Sequence, residues 1–311
     1  MLTQEEIKRA EQELREKEVD IDLVIDSVYH IYFNESMRNE MIYTLDEYKE
    51  YLKKIQQLKK EDQKLFLETL KLDEILVTQL IEKKDYEIIL NSMMDDNIRK
   101  DSIDYLVRKV LSDKPVNTCH IKFVHKIIMD GTLNKSNVSL QKINNYRGND
   151  LSWVGGWVNG KPVIQYAPPK SEKIQPSLEK IIDFMNDESY HKTEFDCFVH
   201  PIIVHALIAI LQPFYDGNTR VCRLLQSIYF LLNTNRVYNL NYSLPLLAMS
   251  QEYYAFSSNY RSLIANIAMN PNQENWEQWI MYNLRNIQSC IIRMSDTIDN
   301  NFNIRPVRQG Y

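Results

Sequence analysis

A chain of 311 residues with 44% hydrophobic and 25% charged content is long enough to bury a sizeable core. Its formal net charge of -5 and pI near 5.8 supply no basic field, which argues against sequence-independent binding to nucleic acid and against attraction to an anionic membrane. Any phosphate it holds must therefore be met by local groups. Only 7 glycines in the whole chain, set among long stretches of mixed charged and apolar residues, predict a mainly α fold of helices joined by short loops. Cys119, Cys197, Cys222 and Cys290 lie far apart with no CxxC pair, and the opening MLTQEEIKRAEQELREKE has no signal-peptide character. A reduced, cytoplasmic protein is expected. The most apolar run, Phe198 to Leu211, is interrupted by two histidines and a proline and is shorter than the ~20 residues of a membrane span.

Taken in chain order, Thr3 with Glu6 has capping-box spacing and predicts a solvated helix to about Glu18. Thr44 with Glu47 repeats the spacing, and Leu45, Tyr48, Leu52, Ile55 and Leu58 recur as one buried helix face behind it. A further helix is expected from Asn117 or Thr118 through HIKFVHKIIMD, stopped by Gly131. WVNGKPVIQYAPP then places Asn159-Gly160 between short apolar segments, the pattern of a β-hairpin. Ser177 is read as the cap of a helix running toward Met185. From His200 onward the pattern is helix, polar loop at 213–219, helix, and NNFNIRPVRQGY reads as a loose tail.

The loop QPFYDGNTRVCR carries the chemistry. Pro213 pushes Gln212 out of the helical region, Gly217 permits a turn that other residues resist, and Asn218 or Thr219 can cap the next helix. That helix start offers free N–H groups and a positive dipole end, an anion site. Arg220 and Arg223, three residues apart, are expected to project toward the same anion. Asp216, a carboxylate beside expected phosphate, is best explained as a ligand for Mg2+.

This loop resembles the signature of Fic-domain proteins, H-P-F-x-[D/E]-G-N-G-R-x-x-R. Pro213, Phe214, Asp216, Gly217, Asn218, Arg220 and Arg223 are in register; Gln212 stands in place of the histidine and Thr219 in place of the second glycine. The similarity takes in His205 and Ala206, Tyr146-Arg147-Gly148, WVGG at 153–156, VIQYAPP at 163–169, SLPLLAMSQEYY at 243–254 and WEQWI at 276–280, and spans about residues 22 to 295. It implies a Fic-type helical fold with one β-hairpin flap, ATP and Mg2+ as cofactors, and AMP transfer to a protein hydroxyl.

By the same resemblance Asp216 would hold the metal, the backbone of Gly217, Asn218 and Thr219 would cradle the α- and β-phosphates, and Arg220 and Arg223 would neutralise the rest. Tyr260 would lie on the adenine side, and Val163, Ile164, Gln165 and Tyr166 of the flap would dock a target protein by strand addition. Ser36 and Glu40 fit an inhibitory pattern, [S/T]-x-x-x-E-[G/N], up to Met41, which implies a Glu40–Arg223 pair competing with phosphate. The implied units are a helical N-terminal region (1–112), a core with flap and phosphate loop (113–240), C-terminal helices (241–295) and a tail (296–311). A nucleotide and a target protein are the implied partners, with no nucleic acid and no membrane; a homodimer is compatible.

Gln212 conflicts with the implied chemistry. In the family the signature histidine takes the proton from the attacking hydroxyl, because its pKa is near neutrality. An amide can orient that hydroxyl but has no site of useful basicity, and losing a general base costs ~10² to 10⁴ in rate. His205, seven residues earlier, is about 10 Å back along a helix and out of reach. AMP transfer impaired by Gln212 is one expectation; a binding module without catalysis is the other.

Overall fold

The computed structural model describes residues 4–66, 115–130, 145–148, 152–158, 161–190, 193–238, 249–255 and 257–302. The elements are α1 (Gln4–Glu16), α2 (Ile21–Ser27), α3 (Glu35–Gln57), α4 (Thr118–Asp130), β1 (Val154–Val158), β2 (Lys161–Tyr166), α5 (Ser171–Asn186), α6 (Asp196–Leu211), α7 (Asn218–Tyr238), α8 (Ser250–Ala255), α9 (Ser257–Met269) and α10 (Gln273–Asn301). The fold is mainly α with one hairpin, as the glycine-poor composition predicts.

α6 organises the molecule. It is apolar on every side, and every residue from Cys197 to Leu211 is buried, as expected of a helix enclosed by others. α7 packs along it, while α5, α9 and α10 close its other faces. Polar atoms inside this core are paired across elements: Trp279 Nε1 donates to the Ile202 carbonyl (2.9 Å) and Tyr229 Oη to the Met185 carbonyl (2.6 Å). α3 lies along α10 and contributes Tyr48, whose ring meets Phe198 and Phe230 edge-on at 5.6 and 5.3 Å.

Two predicted helix starts are wrong. α3 begins at Glu35, well ahead of the expected cap at Thr44. Asn34 is the cap, accepting from the Met37 amide at 2.9 Å, and Thr44 is buried mid-helix with its hydroxyl on the Glu40 carbonyl. Leu45, Tyr48, Leu52 and Ile55 are buried as predicted, but Met37 and Met41 extend the same stripe N-terminally, so packing carries the helix through Thr44. Likewise α5 starts at Ser171, before Ser177, because Ile174 already belongs to its buried face. Pro176 is tolerated there because both it and Glu172, whose carbonyl loses an amide partner, are exposed. At the other end of the chain, α10 continues to Asn301, past the expected start of the tail at 296, because Ile298 is still on its buried face.

β1 and β2 pair antiparallel with an irregularity between Val154 and Gly155. The segment after α1 lies beside the end of this hairpin, with the Val19 amide on the Ala167 carbonyl (2.9 Å) and the Ala167 amide on the Lys17 carbonyl (2.8 Å). The predicted Thr3 cap, the Gly131 stop, the Asn159-Gly160 turn and the chain from 303 onward lie outside the described residues. Among the described residues no helix is long and apolar enough to cross a membrane.

Candidate functional site

The α6–α7 connection turns as its sequence requires. α6 ends at Leu211; Gln212 follows in the left-handed region (φ 48°, ψ 58°), the form of a C-terminal cap, and Gly217 has φ 81°. Gly217 is demanded by space as well as by φ, since a Cβ there would come within 2.9 Å of Met129 Sδ. Asn218 closes the turn from inside: its Oδ1 accepts from the Phe214 amide and its Nδ2 donates to the Phe214 carbonyl, both at 2.8 Å. Phe214 is buried and stacks flat on His125 at 3.9 Å, and His125 Nε2 donates to the Asp216 carbonyl at 3.1 Å. That bond assigns the Nε2–H tautomer to a neutral ring, and burial pulls its pKa down to about 4.

The loop is also held from outside by a segment whose role the sequence leaves open. Arg147 is buried, its Nε donates to the Gln212 carbonyl at 2.7 Å, and its Nη2 reaches the Pro169 and Leu211 carbonyls. A cation is thereby placed on the C-terminal carbonyls of α6, where the helix dipole favours it. The Arg147 amide bonds the Pro213 carbonyl (2.9 Å), and the Gly148 amide donates to Tyr215 Oη (2.7 Å). Arg147 and His125 are the positioning residues that sequence reading missed; only the Tyr146-Arg147-Gly148 similarity pointed to the former.

Both arginines of the loop are buried on the first turns of α7. Arg220 is fully buried, with Nη2 3.3 Å from Asp216 Oδ2 and 3.6 Å from Met129 Sδ. The positive charge of Arg223, also buried, bears on His205 and Tyr260. Asp216 is partly exposed, its Oδ1 accepting from the Gly217 amide at 2.7 Å, and Thr219 is half-buried on the first turn of α7. Among the described residues no group of three or more His, Cys, Asp or Glu could hold a metal ion.

Gln212 turns its amide back onto its own helix. Nε2 donates to the Ala209 carbonyl at 2.6 Å, satisfying one of the four orphan acceptors at the end of α6. The hydroxyl of Tyr166, from the flap, donates to the same carbonyl at 3.2 Å. His205 does not replace a base here: it is fully buried between Gln226 Oε1 (2.5 Å) and Tyr260 Oη (2.8 Å), and burial lowers its pKa to about 3.

A Fic/DOC family model matches residues 115–230, which include α4, the flap, α6 and the turn. This chain carries a Fic domain. Solved structures share the fold at low identity. A Fic-domain-containing signaling protein from Bacteroides thetaiotaomicron is 17% identical, with TM-score 0.61 over 86% of this chain and all of that one. A Fic family protein from Desulfovibrio desulfuricans is 14% identical, with TM-score 0.58 over 84% and 75% of the respective chains. A fragment of Fic-1 from C. elegans is 16% identical, with TM-score 0.54 over 85% and 73%.

Within the Fic domain and its flanking helices, several expected positions are occupied differently. Tyr260 is inside the core, its phenol on His205 and its ring edge-on to Tyr253 and Trp279, so it lines no open surface. The Glu40–Arg223 pair is not formed among the described residues: Gln288 Nε2 donates to Glu40 Oε1 (2.8 Å) and to Thr44 Oγ1 (2.9 Å), because α3 lies along α10. Ser36 is exposed at the edge of a cavity of about 780 Å³ shared with Asn259, Met281 and Tyr282. On the flap, Tyr166 joins the main core, Ile164 is covered by Leu14 and Trp153, Gln165 is half-buried and Val163 is exposed.

Proposed function

We propose that the Fic domain binds ATP with Mg2+ at the 212–223 turn and transfers AMP slowly to a hydroxyl on a protein segment docked at the flap. The start of α7, with Gly217 at φ 81° and buried arginines at positions 220 and 223, supports the phosphate site. Asp216 would hold Mg2+, which would offset the charge of the phosphates. The hydroxyl oxygen forms a bond to the α-phosphorus as pyrophosphate leaves, and its proton needs an acceptor. The bond from Gln212 Nε2 to the Ala209 carbonyl is the observation that carries the slowness: the amide presents a donor to its own helix and no base to a substrate.

The same bond favours a second reading, a nucleotide- or partner-binding module without transfer. Labelled ATP and Mg2+ with the native chain and with Gln212→His separate the two. Slow self-labelling that Gln212→His accelerates ~10²-fold or more supports transfer; labelling by the variant alone supports the binding module. Unchanged ATP affinity in Arg223→Ala would sink the phosphate site itself.

A further inference from the structure

We infer that the outer backbone edge at the end of β2, paired at Ala167 just beyond the strand, is a peptide-docking edge kept filled by this chain's own N-terminal arm, which an incoming extended segment must displace. This rests on the flap reading above and deepens it. A two-stranded hairpin leaves strand edges whose backbone groups invite another strand. Here that edge is taken by Lys17–Val19: Glu18 and Ala167 form a parallel bridge, with the Val19 amide on the Ala167 carbonyl (2.9 Å) and the Ala167 amide on the Lys17 carbonyl (2.8 Å). The Lys17 ammonium donates to the Ile164 carbonyl and pairs with Glu13 at 3.0 Å. These are the contacts of strand addition, made within one chain.

The arm is attached lightly. Leu14 packs with Ile164, Ala167 and the half-buried Trp153 in a cluster separate from the main core. Lys8, Arg9, Glu11, Gln12, Arg15 and Glu16 of α1 are exposed. A cavity of about 410 Å³ opens beside the arm, lined in part by Leu14, Glu18, Arg147 and Ala167. Val19, by contrast, keeps its side chain in the main core, so the arm can leave by turning the Val19 amide off the Ala167 carbonyl without unfolding the domain. The partner that fits is an extended segment running parallel to β2, with a basic side chain placed to reach the Ile164 carbonyl. Arm and segment need the same Ala167 amide and carbonyl, so they exclude one another.

The test uses the whole 311-residue chain and no nucleotide, so its failure is separate from failure of the ATP site. Leu14→Asp should speed hydrogen exchange at the Ala167 and Val19 amides by about tenfold or more while the main unfolding transition is kept. A fluorescent peptide copying residues 12–20 (QELREKEVD) should then bind Leu14→Asp at least about tenfold more tightly than the native chain. N-methylation at the valine of the peptide should abolish that binding. Lys17→Met, which leaves Leu14 in place, should move both readings the same way by less. Unchanged exchange in both variants, or equal peptide binding by native and loosened chains, overturns the inference.

Discussion

Replacing Arg147 by methionine keeps most of the side-chain stem and removes every donor that braces the Fic turn. The native guanidinium bonds the Gln212 carbonyl at 2.7 Å, also bonds the Pro169 carbonyl, and meets the Leu211 carbonyl at 3.4 Å. The residue is 5% exposed, so the freed carbonyls have little access to water. Charged hydrogen bonds are worth about 1.5–3 kcal/mol each, and leaving a buried acceptor unsatisfied costs about 1–3 kcal/mol. Counting two good bonds near the low end of that range, one partial bond and the lost charge at the end of α6, the expected loss is about 3–5 kcal/mol. Arg147→Lys keeps the charge but not the planar fork that spans several carbonyls, and should recover about half. Urea unfolding of the three proteins measures both numbers. A loss below about 1 kcal/mol for methionine, or full recovery by lysine, would refute the bracing role.

Gly217→Ala should destabilise by about 2 kcal/mol and weaken ATP binding, because a left-handed φ and a 2.9 Å approach to Met129 Sδ both penalise a Cβ; chemical denaturation and a binding titration check it. His205 has a folded pKa of about 3 against 6.5 unfolded, so the unfolded chain takes its proton first as pH falls. Its contribution is therefore complete above pH 6.5 and is lost below it, and His205→Gln should flatten unfolding free energy against pH between about 6 and 4 by about 1.4 kcal/mol per unit. The buried Ser177 hydroxyl has no hydrogen-bond partner among the described residues, so Ser177→Ala should leave stability unchanged or raise it by up to about 1 kcal/mol; a loss of that size in thermal or urea unfolding would restore the capping role.

What the sequence determined by itself was local. The helix stop before Pro213, the turn at Gly217, the hairpin around 154–166 and the buried face of α3 follow from φ restrictions, strand alternation and helical periodicity, which act between near neighbours. The absence of a base at position 212 was likewise evident from one residue type. The capping signals at Thr44 and Ser177 mislead, because the burial of Met37, Met41 and Ile174 outweighs a capping preference worth about 1 kcal/mol. Tertiary packing alone decided where other long side chains end: Tyr260 on His205, Glu40 on Gln288, and Arg147 on the end of α6. These partners are 55 to 248 residues apart, and no local pattern specifies them. A flexible side chain in a close-packed interior takes whichever partner desolvation leaves within reach, and that choice belongs to the assembled fold.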